Sequence, residues 1–494
     1  MGQLRFRISD RDRIETGGIG RIYVAGPEEI PWPTQAHWEG DLLVVQRSVH
    51  ESGSVYVPWR VDGHGGYMLT SATLMERDEP YLLDVELARG LIQRIRTRLF
   101  TWEWLGLQTP CLLKERLSDA TIHFSQAATS QQEPDKAAAD ANQALSLAID
   151  TAERLVASYS QQALAAQQQQ APIATLMGVS LDPETPVVGI RRSLVEAANI
   201  IQLPVAWKAI EHKEGNLDWK ATDEQLAWCQ KAGLKVAAGP LLLMDDRGMP
   251  DWMVLWEGDF ENLSRLMIDH VRTVVQRYVG RVHLWHVASR VNVGKMLQLE
   301  EEQRLQLVAQ ALQVVREIDP RTPTVVSFDQ PWGEYLTDQH QDLAPIHYAD
   351  ALVRADLGVS GFGLEINAGY HPGGTWHRPS FEYGRLMDQW TQIGLPLMLM
   401  ISTASSDEED PHAQRNSEAR LLQSDSDQPQ DPQLGWAASL LPLLLARTTV
   451  QVVLWNQLTD AAPHEFPHAG LFDSQDKPKP IVNLLRDLRK SCLM

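Results

Sequence analysis

Residues 263–288 read LSRLMIDHVRTVVQRYVGRVHLWHVA. Two periods meet in this stretch. Apolar residues recur at helical spacing over Leu263–Tyr278, Gly280 breaks the pattern, and Val282–Ala288 is then an apolar run of strand length. A strand covered by helices on both faces has this texture, because neither face needs polar residues. The alternation extends in both directions. Strand-like runs occur at Leu176–Leu181, Ile200–Val205, Lys235–Leu243, Thr324–Asp329, Val359–Ile366, Leu395–Ser402 and Val450–Trp455. Helical patterns separate them, most clearly at Asp223–Ala232, Glu302–Ile318, Tyr383–Ile393, Gly435–Arg447 and Ile481–Lys490. Eight such alternations predict an α/β fold, a (β/α)8 TIM barrel over 173–490, with its site at the C-terminal ends of the strands.

Two stretches of different texture precede the barrel. Residues 1–80 alternate as strands do: Leu4, Phe6 and Ile8 are separated by Arg5 and Arg7. Further strand candidates are Arg21–Ala25, Leu42–Arg47, Ser54–Trp59 and Tyr67–Leu74, divided by turns such as Asp62-Gly63-His64-Gly65-Gly66. They predict a small antiparallel β unit, with Pro58 placing its strand at an edge. Residues 81–170 turn helical, with Ala88, Leu91, Ile92, Ile95 and Leu99 on one face. Arg89, Arg94, Arg96 and Arg98 read as a solvated helix surface. A second long helix is predicted over 135–168, ending in Gln167–Gln170 and Ala171-Pro172, which reads as a linker. Self-association through 82–170 is one possible use of these helices.

The 494-residue chain has 44 Lys+Arg against 64 Asp+Glu, a net charge of −20. That balance speaks against nucleic acid and anionic membranes as partners. No apolar run approaches the ~20 residues of a membrane span. The first residues lack the ~7–15 residue apolar core of a secretion signal, so the expected location is cytoplasmic. Cys111, Cys229 and Cys492 show neither a disulfide framework nor zinc spacing, and Cys111 and Cys229 read as buried thiols. No metal and no cofactor is expected, since no phosphate loop, dinucleotide fingerprint or serine nucleophile elbow occurs. His464-Glu465-Phe466-Pro467-His468 has metalloprotease spacing, but Pro463 and Pro467 forbid the helix that chemistry needs. It reads as a polar loop over the barrel mouth. Sixteen tryptophans against nine phenylalanines suit either a sugar cleft or a core.

Several segments of the barrel, in order, resemble glycoside hydrolase family 10, the endo-1,4-β-xylanase family. They are Trp207–Glu211 with Glu214–Trp219, Asp223–Val236, Met249–Trp252, Gly280–Val287, Ser360–Leu364, Trp455–Asp460, Gly470–Asp473 and Lys477–Pro480. The resemblance implies a saccharide or other small-molecule ligand and a carbohydrate-related role. It also implies two glutamates, an acid/base after strand four and a nucleophile on strand seven. Retaining glycosidases hold these ~5–5.5 Å apart. Here Arg290 and Ile401 stand at those positions, with Ser289 before Arg290, and no acid occurs over 281–299 or between Ile393 and Ser406. The sugar-gripping stretches become Gln202–Trp207 and Gly239–Met244, largely apolar. The resemblance with these departures implies a barrel without the standard retaining reaction.

Three acids remain as candidates for relocated catalysis: Glu365 at the end of strand six, Asp329 at the end of strand five and Asp460 after strand eight. A pair drawn from them could serve as general acid and base, or one of them could simply neutralise Arg290. Trp455, Trp285, Asn367, Tyr370 and His371 are candidate ligand contacts. Trp455 suits either a cleft or a core ring. Three functions stay open: a ligand-binding degenerate barrel, a hydrolase with relocated carboxylates, and a scaffold assembled through the helices.

Overall fold

The eight expected strands form one closed parallel sheet. In chain order they are Leu176–Ser180, Ile200–Leu203, Lys235–Ala238, Leu284–Ser289, Thr324–Asp329, Gly361–Ala368, Leu397–Thr403 and Val450–Trp455, here called strands one to eight. Strand eight pairs with strand one, and strand three pairs with strand four, which closes the ring. The computed structural model describes residues 2–15, 17–245, 248–294, 296–337, 343–422 and 431–493. Each strand is followed by a helix on the outside, from Val188–Ala197 after strand one to Pro480–Cys492 after strand eight. Among the described residues, no helix is long and apolar enough to cross a membrane.

Residues alternate between the two faces along each strand. On the inner face Leu176, Ile200, Ala237, Leu284, Val325, Met398, Met400, Val452 and Leu454 form an apolar cluster around the barrel axis. On the outer face Met177, Ile201, Trp285, Phe328, Leu399, Ile401 and Trp455 belong to the large core beneath the helices. This division decides which residues can reach a site on the axis.

The N-terminal unit is two four-stranded sheets. One has the order Thr34–Glu39, Leu42–Arg47, Gly2–Arg7, Tyr81–Leu82; the other Pro31–Trp32, Tyr23–Ala25, Gly53–Val61, Gly65–Leu74. Pro58 is not on an edge strand. Its strand lies between two others, but Tyr23–Ala25 covers only Ser54–Tyr56, so Pro58 lies beyond the shorter partner. Three helices follow: Leu83–Trp104, Cys111–Thr129 and Pro134–Gln170. The middle one is additional to the two expected. Cys111, expected buried, opens that helix and is exposed, whereas Cys229 and Cys492 are buried.

The Gln-rich run is the final turn of the long helix rather than a linker. Gln167 and Gln168 donate to the carbonyls of Ala446 and Ser491, 2.6 Å each. One apolar core continues from Phe6 and Val45 through Leu91 and Ile149 to Trp436 and Leu440 in the barrel. Charges reinforce that seam. Arg94 and Arg98, expected to be solvated, pair with Glu382 (2.9 Å) and Asp388 on the helix Ser380–Thr391. Arg378, fully buried, donates to Tyr23 Oη (2.9 Å) and Glu334 Oε1 (2.7 Å).

Candidate functional site

Above the apolar half of the axis the inward positions turn polar: Gln202, His286, Ser327, Glu365, Asn367, Ser402 and, just after strand eight, Asn456. They form a connected set. Gln202 Nε2 lies 3.3 Å from His286 Nδ1, and His286 Nε2 lies 2.9 Å from Ser327 Oγ. Ser327 Oγ donates to Glu365 Oε1 (2.8 Å). Since Ser327 has one proton and gives it to Glu365, His286 Nε2 must carry a proton and Nδ1 accepts from Gln202. Burial lowers the His286 pKa to about 4, so the ring is neutral. On the other side of the mouth, Asn367 Oδ1 accepts from Ser402 Oγ (2.7 Å) and Asn456 Nδ2 (2.8 Å).

Arg290 dominates the electrostatics. It follows strand four with a backbone φ of 60°, a conformation that non-glycine residues rarely adopt. Its Nε donates to Glu365 Oε2 at 2.9 Å, and Nη1 and Nη2 grip Glu465 as a fork at 2.7 Å each. Nη1 also reaches Asp245 at 3.2 Å. Ser289 Oγ donates to Glu365 Oε1 at 2.5 Å. Both Glu365 oxygens are therefore engaged by Arg290, Ser289 and Ser327. Burial alone would raise the Glu365 pKa, but the guanidinium and the two hydroxyls outweigh it and hold the carboxyl below its usual range. Burial likewise disfavours the Arg290 charge, and Glu465 and Glu365 outweigh that, so its pKa is raised.

Asp329 is the register neighbour of Glu365 on strand five, so both carboxyls face the same way at adjacent strand ends. Asp329 Oδ1 accepts from the Gln330 amide (2.9 Å), and Asp329 Oδ2 is buried with no hydrogen-bond partner. Burial pushes its pKa up to about 7, with Arg290 opposing and Glu365 adding to the rise. Among the described residues, four other buried polar atoms around the same mouth also lack a protein partner: Ser180 Oγ, Gln202 Oε1, Asn367 Nδ2 and Asn456 Oδ1. Ser180 and Gln202 are register neighbours on strands one and two. Buried polar atoms are nearly always satisfied by something, protein or not, so these five atoms mark unused hydrogen-bonding capacity at the mouth.

Other expected site residues lie elsewhere. Trp455 and Trp285 point outward. Trp455 Nε1 donates to the Ala469 carbonyl (2.7 Å) and Trp285 Nε1 to Asp319 Oδ2 (3.0 Å), and both rings are core. Ile401 also points outward, so Ser402 is the inward residue at that end of strand seven. Asp460 does not join Glu365. It pairs with Lys479 Nζ at 2.6 Å and accepts from the Gly470 amide at 2.7 Å. Asp410, Asp460 and His464 bring ligand-type atoms within 4.8 Å of one another, but the Lys479 ammonium already answers Asp460. Tyr370 donates to the Pro467 carbonyl (3.1 Å) with its ring against Phe466, and His371 Nε2 lies 3.0 Å from Arg21 Nη2 at the seam with the N-terminal unit. Both build loop structure rather than the axial ring. The 464–468 segment is a loop that carries Glu465 over the mouth, where Arg415 Nη1 also meets it at 3.2 Å.

Sequence reasoning misses Gln202, His286, Ser327, Ser402, Asn456 and Glu465 as members of this set. A signal exists for some of them: a polar residue two positions from another inside an apolar run, as in Glu365 and Asn367.

Comparison with known proteins adds a family likeness. Residues 194–322, which hold strands two to four and Arg290, match glycosyl hydrolase family 10. Endo-1,4-beta-xylanase 3 of Hypocrea jecorina is 27 % identical over 118 residues, 23 % of this chain and 33 % of the relative. Endo-1,4-beta-xylanase C of Paenibacillus barcinonensis is 26 % identical over 116 residues, 22 % of this chain and 10 % of the relative. The chain thus spans about a third, or less, of the length of these curated relatives. Among solved structures, xylanase 10B of Thermotoga petrophila RKU-1 in complex with xylobiose aligns at a TM-score of 0.49 with 15 % identity, covering 67 % of this chain and 97 % of that one. The Thermobacillus composti GH10 xylanase aligns at 0.45 with 19 % identity, covering 64 % and 96 %. The barrel is similar to that of glycosyl hydrolase family 10, with the sequence likeness concentrated on strands two to four.

Proposed function

We propose that the barrel binds a saccharide or other small polyhydroxy ligand at its C-terminal mouth and does not perform retaining hydrolysis. The observation that carries this reading is the Arg290–Glu365 bond at 2.9 Å. A nucleophile needs a free lone pair aimed at the sugar carbon, and Glu365 has both oxygens engaged. A cation beside it also opposes the positive charge of an oxocarbenium-like transition state. Strand seven supplies Ser402 rather than a carboxylate. The five unpartnered atoms support ligand binding. Three of them are pure acceptors (Gln202 Oε1, Asp329 Oδ2 when ionised, Asn456 Oδ1), which suits a ligand rich in O–H donors.

One observation favours a hydrolase with relocated carboxylates. Asp329 holds its proton to about 7 while Glu365 is ionised, a division of labour that an acid and an anion need. The two readings separate by assay. Aryl β-xylosides, aryl β-glucosides and soluble xylan are offered to the wild type, Asp329→Asn and Glu365→Gln, and xylo-oligosaccharide binding is followed by calorimetry. Glycosidase rate enhancements are so large that a poor site still exceeds the blank. Saturable binding without turnover is expected. Turnover lost in either variant overturns the proposal.

The scaffold reading rests on exposed apolar side chains of the helices. Phe100, Trp104 and Leu105 are 73 %, 80 % and 68 % exposed near one helix end. A concentration-dependent mass lost in Trp104→Ser tests it.

A further inference from the structure

The opposite end of the barrel holds a cavity. Residues at the start of all eight strands, together with 171–175, surround a cavity of about 520 Å³ at the N-terminal mouth. Its inner wall is Ile200, Val325, Met398 and Val452, all buried members of the axial apolar cluster. Gln167 and Gln170, from the last turn of the long helix, stand at the rim. Gln167 is fixed there by its bond to the Ala446 carbonyl. A (β/α)8 barrel ordinarily fills its axis with side chains. Ligand pockets, by contrast, measure ~300–1,000 Å³ and are mostly apolar with a few placed polar groups. This end of the barrel follows the second description.

Charge names the ligand class. The chain is at −20 overall, yet among the described residues no aspartate or glutamate lines this cavity, and its ionisable residues are Lys235 and His283. Both are exposed at the rim, as the first residue of strand three and the residue before strand four. His283 Nδ1 accepts the Val236 amide at 3.2 Å. Burial first, and Lys235 second, lower the His283 pKa, so that ring is neutral near pH 7. Lys235 then supplies the positive charge of the cavity. An anion at this rim meets an ammonium and no carboxylate, on a surface whose average charge would repel it.

We infer that the N-terminal cavity binds a small molecule with an apolar body and one anionic head, such as a medium-chain carboxylate. The body lies against Ile200, Val325 and Met398, and the head meets Lys235. This inference is independent of the reading given to the polar mouth, because no residue is shared between the two.

The test is calorimetric titration of the full chain with decanoate below its micellar concentration, with decanol as the uncharged control. Two rim variants accompany it: Lys235→Glu, which reverses the charge at the rim, and Thr448→Trp, which fills the entrance from an exposed turn. Thermal melts establish that both are folded. One decanoate per chain is expected, with decanol at least tenfold weaker and decanoate affinity reduced at least tenfold in each variant. Absence of saturable decanoate binding, equal affinity for decanol, or an affinity that survives either substitution overturns the inference.

Discussion

Replacing Arg290 with methionine keeps the unbranched stem and removes the guanidinium and its charge. Three carboxylates then lose their pairing with Arg290: Glu365, Asp245 and Glu465, the last of which keeps Arg415 at 3.2 Å. The effect is concentrated at Glu365, whose side chain is 2 % exposed against 19 % for Glu465. Removing one partner of a buried ion pair costs about 3–5 kcal/mol, because the remaining charge is desolvated and unanswered. The sign of the pH dependence follows from the two states. In the wild type the depressed Glu365 pKa gives stability that is present above the unfolded value of ~4.3 and is lost as pH falls through the folded value. In Arg290→Met the same burial acts without the guanidinium and raises the Glu365 pKa above its unfolded value. That variant therefore loses stability as pH rises. The gap between the two proteins should be small near pH 4 and reach about 3–5 kcal/mol by pH 8. Urea unfolding followed by tryptophan fluorescence at pH 5 and pH 8 measures it. The double variant Arg290→Met/Glu365→Gln should be more stable than Arg290→Met at pH 8, since the uncompensated charge is gone. A loss under about 1 kcal/mol at pH 8, the range of a surface pair, or an equal loss at both pH values, refutes the reasoning.

Asp329 carries the opposite sign: its folded pKa near 7 lies above its unfolded value, so the wild type loses stability as pH rises from about 4 to 7. Asp329→Asn removes that titration, and its urea midpoints should vary less over this window and exceed the wild type's at pH 8. Arg378→Met leaves Glu334 buried without its partner and should destabilise by about 3–5 kcal/mol. Limited proteolysis should then release the N-terminal sheets before it cuts the barrel. Gly90→Ala places a Cβ 2.4 Å from the Ser71 carbonyl carbon and 2.5 Å from Thr70 O, backbone that cannot move aside. It should lower stability by about 1–3 kcal/mol in the same urea assay.

The barrel is legible because each strand is buried twice, and eight continuous apolar runs alternating with helical patterns suit few folds besides this one. The same double burial hides which face of a strand looks inward. Trp455 and Trp285 are of the residue type that suits a sugar cleft, and the one polar neighbour of each, Asn456 and His286, is the local sign that the rings themselves face the helices. The helix Cys111–Thr129 escapes sequence reading because its buried set, Leu113, Leu117, Ala120 and Ala127, is sparse and half of it is alanine. Arg94 and Arg98 read as solvated because the acids that bind them, Glu382 and Asp388, are almost 290 positions away. The Gln-rich end of the long helix misleads through composition: it looks like a linker, and its amides cap barrel carbonyls instead. Glu365 and Asp329 stand out as candidates because an acid at the end of an apolar run is costly and conspicuous. Glu465, which completes the Arg290 pair, sits in a loop where acids are common.

The two ends of the axis divide the chemistry of this barrel. From the N-terminal end inward the axis is apolar, and its lowest layer widens into a cavity. Toward the C-terminal end it becomes a ring of hydroxyl, amide, imidazole and carboxyl groups beneath loops tied together by Arg290 and Glu465. Stability alone does not favour that upper half. A buried ion pair is often matched or exceeded by apolar residues of the same volume, and each unpartnered buried polar atom costs about 1–3 kcal/mol. A purely structural barrel would gain by carrying the apolar filling to the top. A retaining hydrolase would keep two free carboxylates facing a cleft. This mouth has neither: one carboxylate is locked by a guanidinium, the other holds its proton to about 7, and, among the described residues, five buried polar atoms have no protein partner. The arrangement is costly as a scaffold and lacks the pair of free carboxylates of the standard retaining reaction. The proposed recognition of a hydroxyl-bearing ligand is the reading that uses both the engaged carboxylate and the unpartnered polar atoms, and it predicts that their replacement by apolar residues raises stability while abolishing binding.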